Sequence, residues 1–408
     1  MLRRAAVLAA GFLAAAVVPA AAQTRQLELG LEGFGYRSQA SLVNRENVLG
    51  LDDRPGLGRL ALGWKETHGA FRAVFRGYVE RTWGTRADET SWVVRQGYAQ
   101  YAWGDTLQAR LGKQRIAWGS GLAWNPTNRL EPPKNALNTT LEQEGALAAR
   151  VDWTPTPWAS VIAVAATTDA QPRDRPVASA AAERRKSLAL RARFLAKDTD
   201  LALVVSGGEN QRTLVGLDVG RDVAGLFTAH AEAAVYEGAE MFPPRDGETF
   251  FRIVAGLLRT SGENAFALEY FRNGEGYSDP QAEAWRRTLD RSWSLATNPA
   301  LPAPVREEAA AAYAGAASIP YSWGLGLRRN YLHASWTRGG ATSTWTGALR
   351  AVVGLDDGGW ALTPGVGWAP RGNVTLNVDA ILLLGPDDSE YRAAPLDAAL
   401  QARLKVLF

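Results

Sequence analysis

Three features of the sequence predict an all-β fold, a closed antiparallel transmembrane β-barrel of about 16–18 strands. The first is a two-residue hydrophobic period that recurs along most of the chain. The second is an N-terminal export signal with no later apolar run long enough for a helical span. The third is composition. The chain has 15 Trp, 41 Gly and no Cys, yet its mean hydropathy is slightly negative. A membrane barrel carries its hydrophobicity in alternate residues, so its average stays unremarkable.

The export signal is read from Arg3 and Arg4, an apolar run from Ala5 to Val18, and then Pro19, Ala20, Ala21, Ala22 and Gln23. A charged start, a short apolar core and small residues before a polar one make a secretory signal peptide. It is assigned to residues 1–22, and a single barrel domain to residues 23–408. No Cys follows the apolar run, which excludes a lipid-anchored lipoprotein. The lack of Cys also excludes disulfides, thiolate metal sites and a Cys nucleophile. The mature chain has 386 residues (408 less 22). At roughly 22–24 residues per strand and connection, that length sets the strand number above, which is even in bacterial single-chain barrels. Net charge is +3, or about +1 without Arg3 and Arg4, so nothing points to nucleic acid. Only six of the 45 basic residues are lysines. The arginine bias is partly a matter of genome composition and partly a preference for forked, permanently charged donors.

The alternation runs as follows. Leu60, Leu62 and Trp64 share one face; Phe71, Ala73, Phe75, Gly77 and Val79 share the next, opposite Arg72, Arg76 and Glu80. Trp92 to Trp103 and Thr106 to Trp118 flank the turn at Gly104-Asp105. Leu147 to Trp153 leads through Thr154-Pro155-Thr156-Pro157 into Ala159 to Ala166. Leu188 to Phe194 alternates with Arg191 and Arg193. Further strands are expected at 201–205, 214–219, 227–236, 251–257, 266–270, 332–336, 345–353, 360–368 and 374–384. Two segments break the pattern. Thr167 to Lys186 reads as a polar loop, and Asn273 to Tyr321 as a long loop with short helices at 279–291 and 304–313. Such a loop is plain extracellular surface, or it folds inward to narrow or cover the pore.

The C-terminal stretch, Pro395 to Phe408, alternates Leu396, Ala398, Leu400, Ala402, Leu404, Val406 and Phe408 against a mostly polar parity. Taken alone it also fits a helical stripe. The adjacent run, in which Val374, Leu376, Val378, Ala380, Leu382 and Leu384 oppose Thr375, Asn377 and Asp379, fits only a strand and tips the balance. The segment resembles the closing strand of bacterial outer-membrane β-barrels, in which a terminal aromatic is the assembly signal. That resemblance gives Phe408 this role. It implies the lipid bilayer and the outer-membrane assembly machinery as partners and the outer membrane of a Gram-negative cell as the location.

The most distinctive internal stretch is 111–133, LGKQRIAWGSGLAWNPTNRLEPP. Its Gly112-Lys113-Gln114, Trp118-Gly119 and Asn125-Pro126 resemble a strand and loop of porin-like outer-membrane families, including the alginate-export type and related barrels. The resemblance covers some two dozen residues. The residues themselves read first as a bend at Gly119, Ser120 and Gly121, with Trp118 and Trp124 anchored at the membrane interface, and second as a ligand site.

In a barrel the polar strand face lines the lumen. Pore-lining candidates are therefore Arg72, Arg76, Glu80, Arg191, Arg193, Arg252, Glu269, Asp379 and Arg403. They make either a positive field that selects anions or a lumen laced with neutralising ion pairs. The expected function is a porin-like channel for passive passage of small polar or anionic solutes or saccharides. The alternative is an occluded barrel acting in surface polysaccharide export or assembly, or in ligand binding. No cofactor, metal site or catalytic residue is expected: His68, His230 and His333 are isolated, although the last two lie in expected strands where a hydrolase site could assemble. Trimeric porins are a precedent for an oligomer.

Overall fold

The computed structural model describes residues 23–85, 88–169, 184–209, 211–238, 247–322, 326–340 and 342–408. The expected signal peptide, 1–22, lies outside them, as does 170–183, most of the polar loop read between Thr167 and Lys186. The 18 strands are β1 (Gln23–Ser38), β2 (Gly56–His68), β3 (Phe71–Trp83), β4 (Thr90–Trp103), β5 (Leu107–Gln114), β6 (Ala146–Thr156), β7 (Ala159–Asp169), β8 (Arg184–Ala196) and β9 (Thr199–Glu209), followed by β10 (Gln211–Val223), β11 (Phe227–Glu237), β12 (Thr249–Ser261), β13 (Asn264–Asn273), β14 (Asn330–Arg338), β15 (Trp345–Gly354), β16 (Trp360–Arg371), β17 (Val374–Leu384) and β18 (Leu396–Leu407). Each pairs antiparallel with its sequence neighbours, and β1 pairs with β18 from Glu28↔Leu407 to Ser38↔Leu396. The sheet is therefore a closed 18-stranded barrel with no free edge, as hydrocarbon requires of any spanning sheet.

The last residue completes the seam. Phe408 N donates to Leu27 O at 2.8 Å and Leu27 N to Phe408 O at 3.1 Å, with the Phe408 ring outside. The segment is thus a strand, and its helical alternative is gone. The period of two sorts side chains as the alternation requires. Leu60, Leu188, Leu203, Leu257 and Leu404 are exposed on the outer face, while Glu232, Arg252, Glu269 and Asp379 are buried inside. Exposed aromatics gather at the two ends of the outer face: Tyr101, Trp103, Trp153, Trp158, Trp345 and Trp368 at one, and Trp83, Trp92, Phe251 and Trp360 at the other. This is the double girdle of a barrel crossing two membrane interfaces.

Connections are two to six residues at the end that holds both termini, and the long ones, 39–55, 115–145, 274–329 and 385–395 among them, are all at the opposite end. By the rule for such barrels the short turns are periplasmic and the long loops extracellular. At the long-loop end, α1 (Asp279–Ala296) and α2 (Ala303–Ser322) form a helical pair within the 274–329 connection. Trp285 Nε1 donates to Ala316 O at 2.9 Å, and Tyr277, Trp285, Leu289, Tyr313 and Leu327 pack with Val43 of the β1–β2 loop and Ala393 of α3 (Glu390–Ala393). The expected helices are present and longer than their sequence cues. They pack on neighbouring loops at the mouth, and a different segment fills the lumen.

Beside this cap, Glu390 accepts a hydrogen bond from Tyr331 Oη at 2.5 Å. Burial pushes its carboxyl from an ordinary value of 4.5 up to about 7, partly offset by that hydroxyl. A carboxyl raised in the folded state gives docking that is strongest below pH 4.5 and is lost as pH rises through about 7. Hydrogen exchange of 385–395, corrected for intrinsic rate, is expected to be faster at pH 8 than at pH 5. Glu390→Gln should remove the difference. Equal protection of the wild type at both pH values would contradict the assignment.

Candidate functional site: the constricted lumen

β5 stops at Gln114, four residues before the expected end at Trp118. The next 31 residues, 115–145, have no regular structure and fold into the barrel. The reading of Trp118 and Trp124 as interface anchors is corrected: both are only 3% exposed and lie inside the barrel. Ile116, Trp118 and Leu130 pack against inward residues of β6 to β12, among them Ile162, Val164, Leu214, Tyr236 and Phe250. Trp124 stacks on Phe271 at 4.8 Å between centroids and packs with Val254, Tyr331 and Val352. The physical reason is local. The lumen wall here carries apolar side chains at inward positions, and these take the tryptophans away from lipid.

Irregular backbone at membrane depth must find partners in protein. Wall carboxylates supply them. Glu269 accepts from Ala123 N at 2.8 Å through Oε2 and from Leu122 N through Oε1, and His230 Nε2 sits 2.7 Å from Oε1. Glu232 accepts from Thr127 N and Thr127 Oγ1, each at 2.7 Å, and from Asn125 Nδ2 at 3.3 Å. Asp218 accepts from Ser120 Oγ. Gly119 has φ +88°, and a Cβ there would meet Asn125 Nδ2 and Glu232 Oε2 at 2.4 Å, so the latch needs glycine. Pro126 follows Asn125 at the head of the turn that presents Thr127.

The rest of the loop is tied around the lumen. Thr363 Oγ1 donates to Leu137 O at 2.8 Å, Asn138 Nδ2 to Gln401 Oε1 at 2.8 Å, and Arg403 to Thr140 Oγ1 at 2.7 Å. Arg76 and Gln96 both reach Glu142, and Lys113 Nζ lies 3.0 Å from Glu144. Gln114 is fully buried and donates to Ala148 O at 3.1 Å. Lys113 and Gln114 thus hold the root of the loop and are not parts of an interface bend.

All nine pore-lining candidates occupy inward positions, but the structure divides them. Glu269, Arg252 and Asp379 are buried in contacts. Glu269 holds the loop, Arg252 pairs with Glu275, and Asp379 takes Arg350 at 3.2 Å and Arg403 at 2.7 Å. Glu80 pairs with Arg59 at 2.6 Å, Arg76 with Glu28 and Glu142, Arg193 with Asp200 at 2.5 Å, and Arg191 with Asp218 at 3.6 Å. Arg72 alone of the nine has no ion pair among the described residues. It lies below the loop, toward the short turns. Register places Arg72 opposite Gln100, Gln100 opposite Arg110, and Arg110 opposite Arg150 on four successive strands. Arg110 also has no ion pair among the described residues; its guanidinium lies 5.8 Å from the Tyr98 ring. Arg150 is paired with Asp152 at 2.5 Å, which leaves Arg72 and Arg110 as the members of this row without an ion pair among the described residues. Facing it across the lumen, a cavity of about 420 Å³ beneath the loop is lined by Arg115, Lys134, Asn138, His333, Thr337 and Arg350, among others. Three cations and no carboxylate line it.

No protein-family model and no curated protein matches the sequence. Solved structures do match in shape. Pseudomonas aeruginosa OccK3 (OpdO) is 10% identical over 94% of this chain and 95% of its own, with a TM-score of 0.54. The same organism's OprD is 10% identical over 95% of each chain, at 0.53, and its OpdQ is 10% identical over 95% of this chain and 99% of its own, at 0.54. The chain has the fold of a porin-like outer-membrane barrel. These identities speak for the fold as a whole and single out no alginate-export type.

Sequence reasoning missed the loop latch made by Asp218, Glu232 and Glu269. The latch predicts that Glu269→Ala orphans two buried N–H groups, at about 1–3 kcal/mol each. Expected results are faster proteolysis or hydrogen exchange within 115–145 and noisier, larger single-channel currents, with folded barrel mobility on unheated gels retained. Unchanged protection of 115–145 would sink the latch.

Proposed function

We propose that the protein is an outer-membrane channel that passes small polar solutes, anions in particular, by diffusion, without reaction. The single observation that carries this reading is the pair Arg72 and Arg110, which face the lumen below the loop without ion pairs among the described residues. A low-dielectric wall focuses the field of such cations, raises the local concentration of anions and excludes cations. The loop narrows the lumen and so adds a size limit. The mature chain reaches its site by cleavage after Ala22 and export, and the assembly machinery reads the strand that ends at Phe408. The resemblance of 111–133 to alginate-export barrels supports saccharides as a further class of passenger.

A second reading, an occluded barrel that binds or helps assemble a surface polymer, is favoured by one observation: 115–145 is bonded to β3, β4, β10, β11, β13, β16 and β18, on all sides of the lumen.

The deciding measurement is planar-bilayer current of the refolded mature protein under a salt gradient. The channel reading expects discrete steps with a reversal potential of anion sign. Arg72→Glu with Arg110→Glu should shift that potential toward cations. A folded barrel without current would favour the occluded reading, and current with unaltered selectivity in the double variant would remove the arginine row from the mechanism.

A further inference from the structure

The outer face of the barrel carries one feature that closure and the girdles do not explain. Two cross-strand rows run side by side over β12 to β16. The row nearer the membrane centre is Leu257, Leu268, Ala334, Ala351 and Leu362; the row nearer the short turns is Arg259, Phe266, Trp336 and Leu349. Ala334 and Ala351 interrupt a wall of large side chains, and the dip they leave is a groove of about 480 Å³ with an almost wholly apolar lining. Phe227, Leu257, Phe266 and Leu268 flank one side and Trp336, Leu349 and Leu362 the other.

One charge borders this groove. Arg259 is exposed, points outward, and has no ion pair among the described residues. It stands two residues from the end of β12 at the short turn, roughly 7 Å along the strand. That is the depth of lipid headgroups. The Trp336 ring marks the same level, donating from Nε1 to Asn264 Oδ1 at 3.1 Å. Glu263, the acid nearest in sequence, accepts instead from Ser343 Oγ at 3.5 Å. A guanidinium beside hydrocarbon is costly unless it reaches the headgroup layer and finds an anion there.

We propose that this groove is a binding site for one anionic phospholipid of the periplasmic leaflet, with an acyl chain lying over Ala334 and Ala351 and the phosphodiester on Arg259. The apolar slot supplies area that bulk lipid contacts would leave unfilled. Arginine presents its fork to phosphate oxygens, and its charge favours a headgroup with net negative charge over a zwitterionic one.

The test is native mass spectrometry of the whole mature protein in detergent, titrated separately with dioleoyl-phosphatidylglycerol and dioleoyl-phosphatidylcholine. The expected result is one phosphatidylglycerol retained in preference to phosphatidylcholine. Arg259→Ala should weaken the phosphatidylglycerol adduct about fivefold and abolish the preference. Arg259→Gln, which keeps the stem, supplies the same readout where alanine lowers the folded yield. Ala334→Leu with Ala351→Leu should fill the groove and reduce both adducts, with channel conductance unchanged because the lumen is untouched. Equal retention of the two lipids by the wild type, or the same preference in the Arg259 variants, would overturn the proposal. So would a dimer lost on filling the groove, which would give this face to a second copy of the chain.

Discussion

Every backbone N–H at membrane depth must have a partner, and the rest of this structure follows from how that demand is met twice. The wall meets it by closing: β1 and β18 pair along eleven residues, and the terminal Phe408 completes the seam. A wall of 18 strands encloses more space than its own side chains fill. The segment 115–145 occupies part of that space with irregular backbone, which meets the same demand a second time. Its N–H groups have no ladder to join. Those of Leu122, Ala123 and Thr127 are taken by Glu269 and Glu232, which reach in from β13 and β11, and Asp218 on β10 takes the Ser120 hydroxyl. Each carboxylate brings two acceptor oxygens to a place where strand backbone offers none.

This use of acids settles where free positive charge can remain. Net charge is close to zero, so the lumen could have been neutral throughout. At the level of the loop it largely is: Arg59, Arg76 and Arg95 are matched by Glu28, Glu32, Glu80 and Glu142. Below the loop the balance fails on one wall. The carboxylates Asp218, Glu232 and Glu269 of β10, β11 and β13 are engaged by the loop, and Arg72 and Arg110 face the lumen without ion pairs among the described residues. Ion pairs thus lace the lumen at the level of the loop, and the two arginines without them lie at a different depth.

The wall was legible in the sequence because its physics is a period of two. Val374 to Leu384 and Leu396 to Leu407 announce their faces by alternation, and both are strands in which Leu382, Leu400 and Leu404 are exposed while Asp379 and Gln401 are buried. The lumen was legible only in part. Trp118 and Trp124 are apolar and lie close to a strand, and hydropathy does not distinguish a tryptophan at a membrane interface from one buried in a barrel. A signal was nonetheless present. Alternation stops at Gln114 for 31 residues, while Phe250, Val254, Phe271 and Tyr331 occupy inward parities that a water-filled pore would leave polar. Apolar residues on the polar face of several strands mean that something apolar sits against them. Glu232 and Glu269 gave no such warning, because a carboxylate that accepts backbone N–H groups looks like any other lumen acid in sequence.

The same inward aromatics join the constriction to the mouth. Trp124 of the loop stacks on Phe271 of β13, which lies 6.3 Å from the Tyr331 ring of β14. Tyr331 Oη donates to Glu390 of α3 and accepts from Arg328 N at 2.6 Å, just past the 274–329 helical pair, while Tyr391 packs against the Trp124 cluster. Close-packed interiors transmit displacement, because a ring has no room to move alone. Packing therefore runs without a break from α3 at the mouth to the latch in the lumen, through the rings of Tyr331, Phe271 and Trp124.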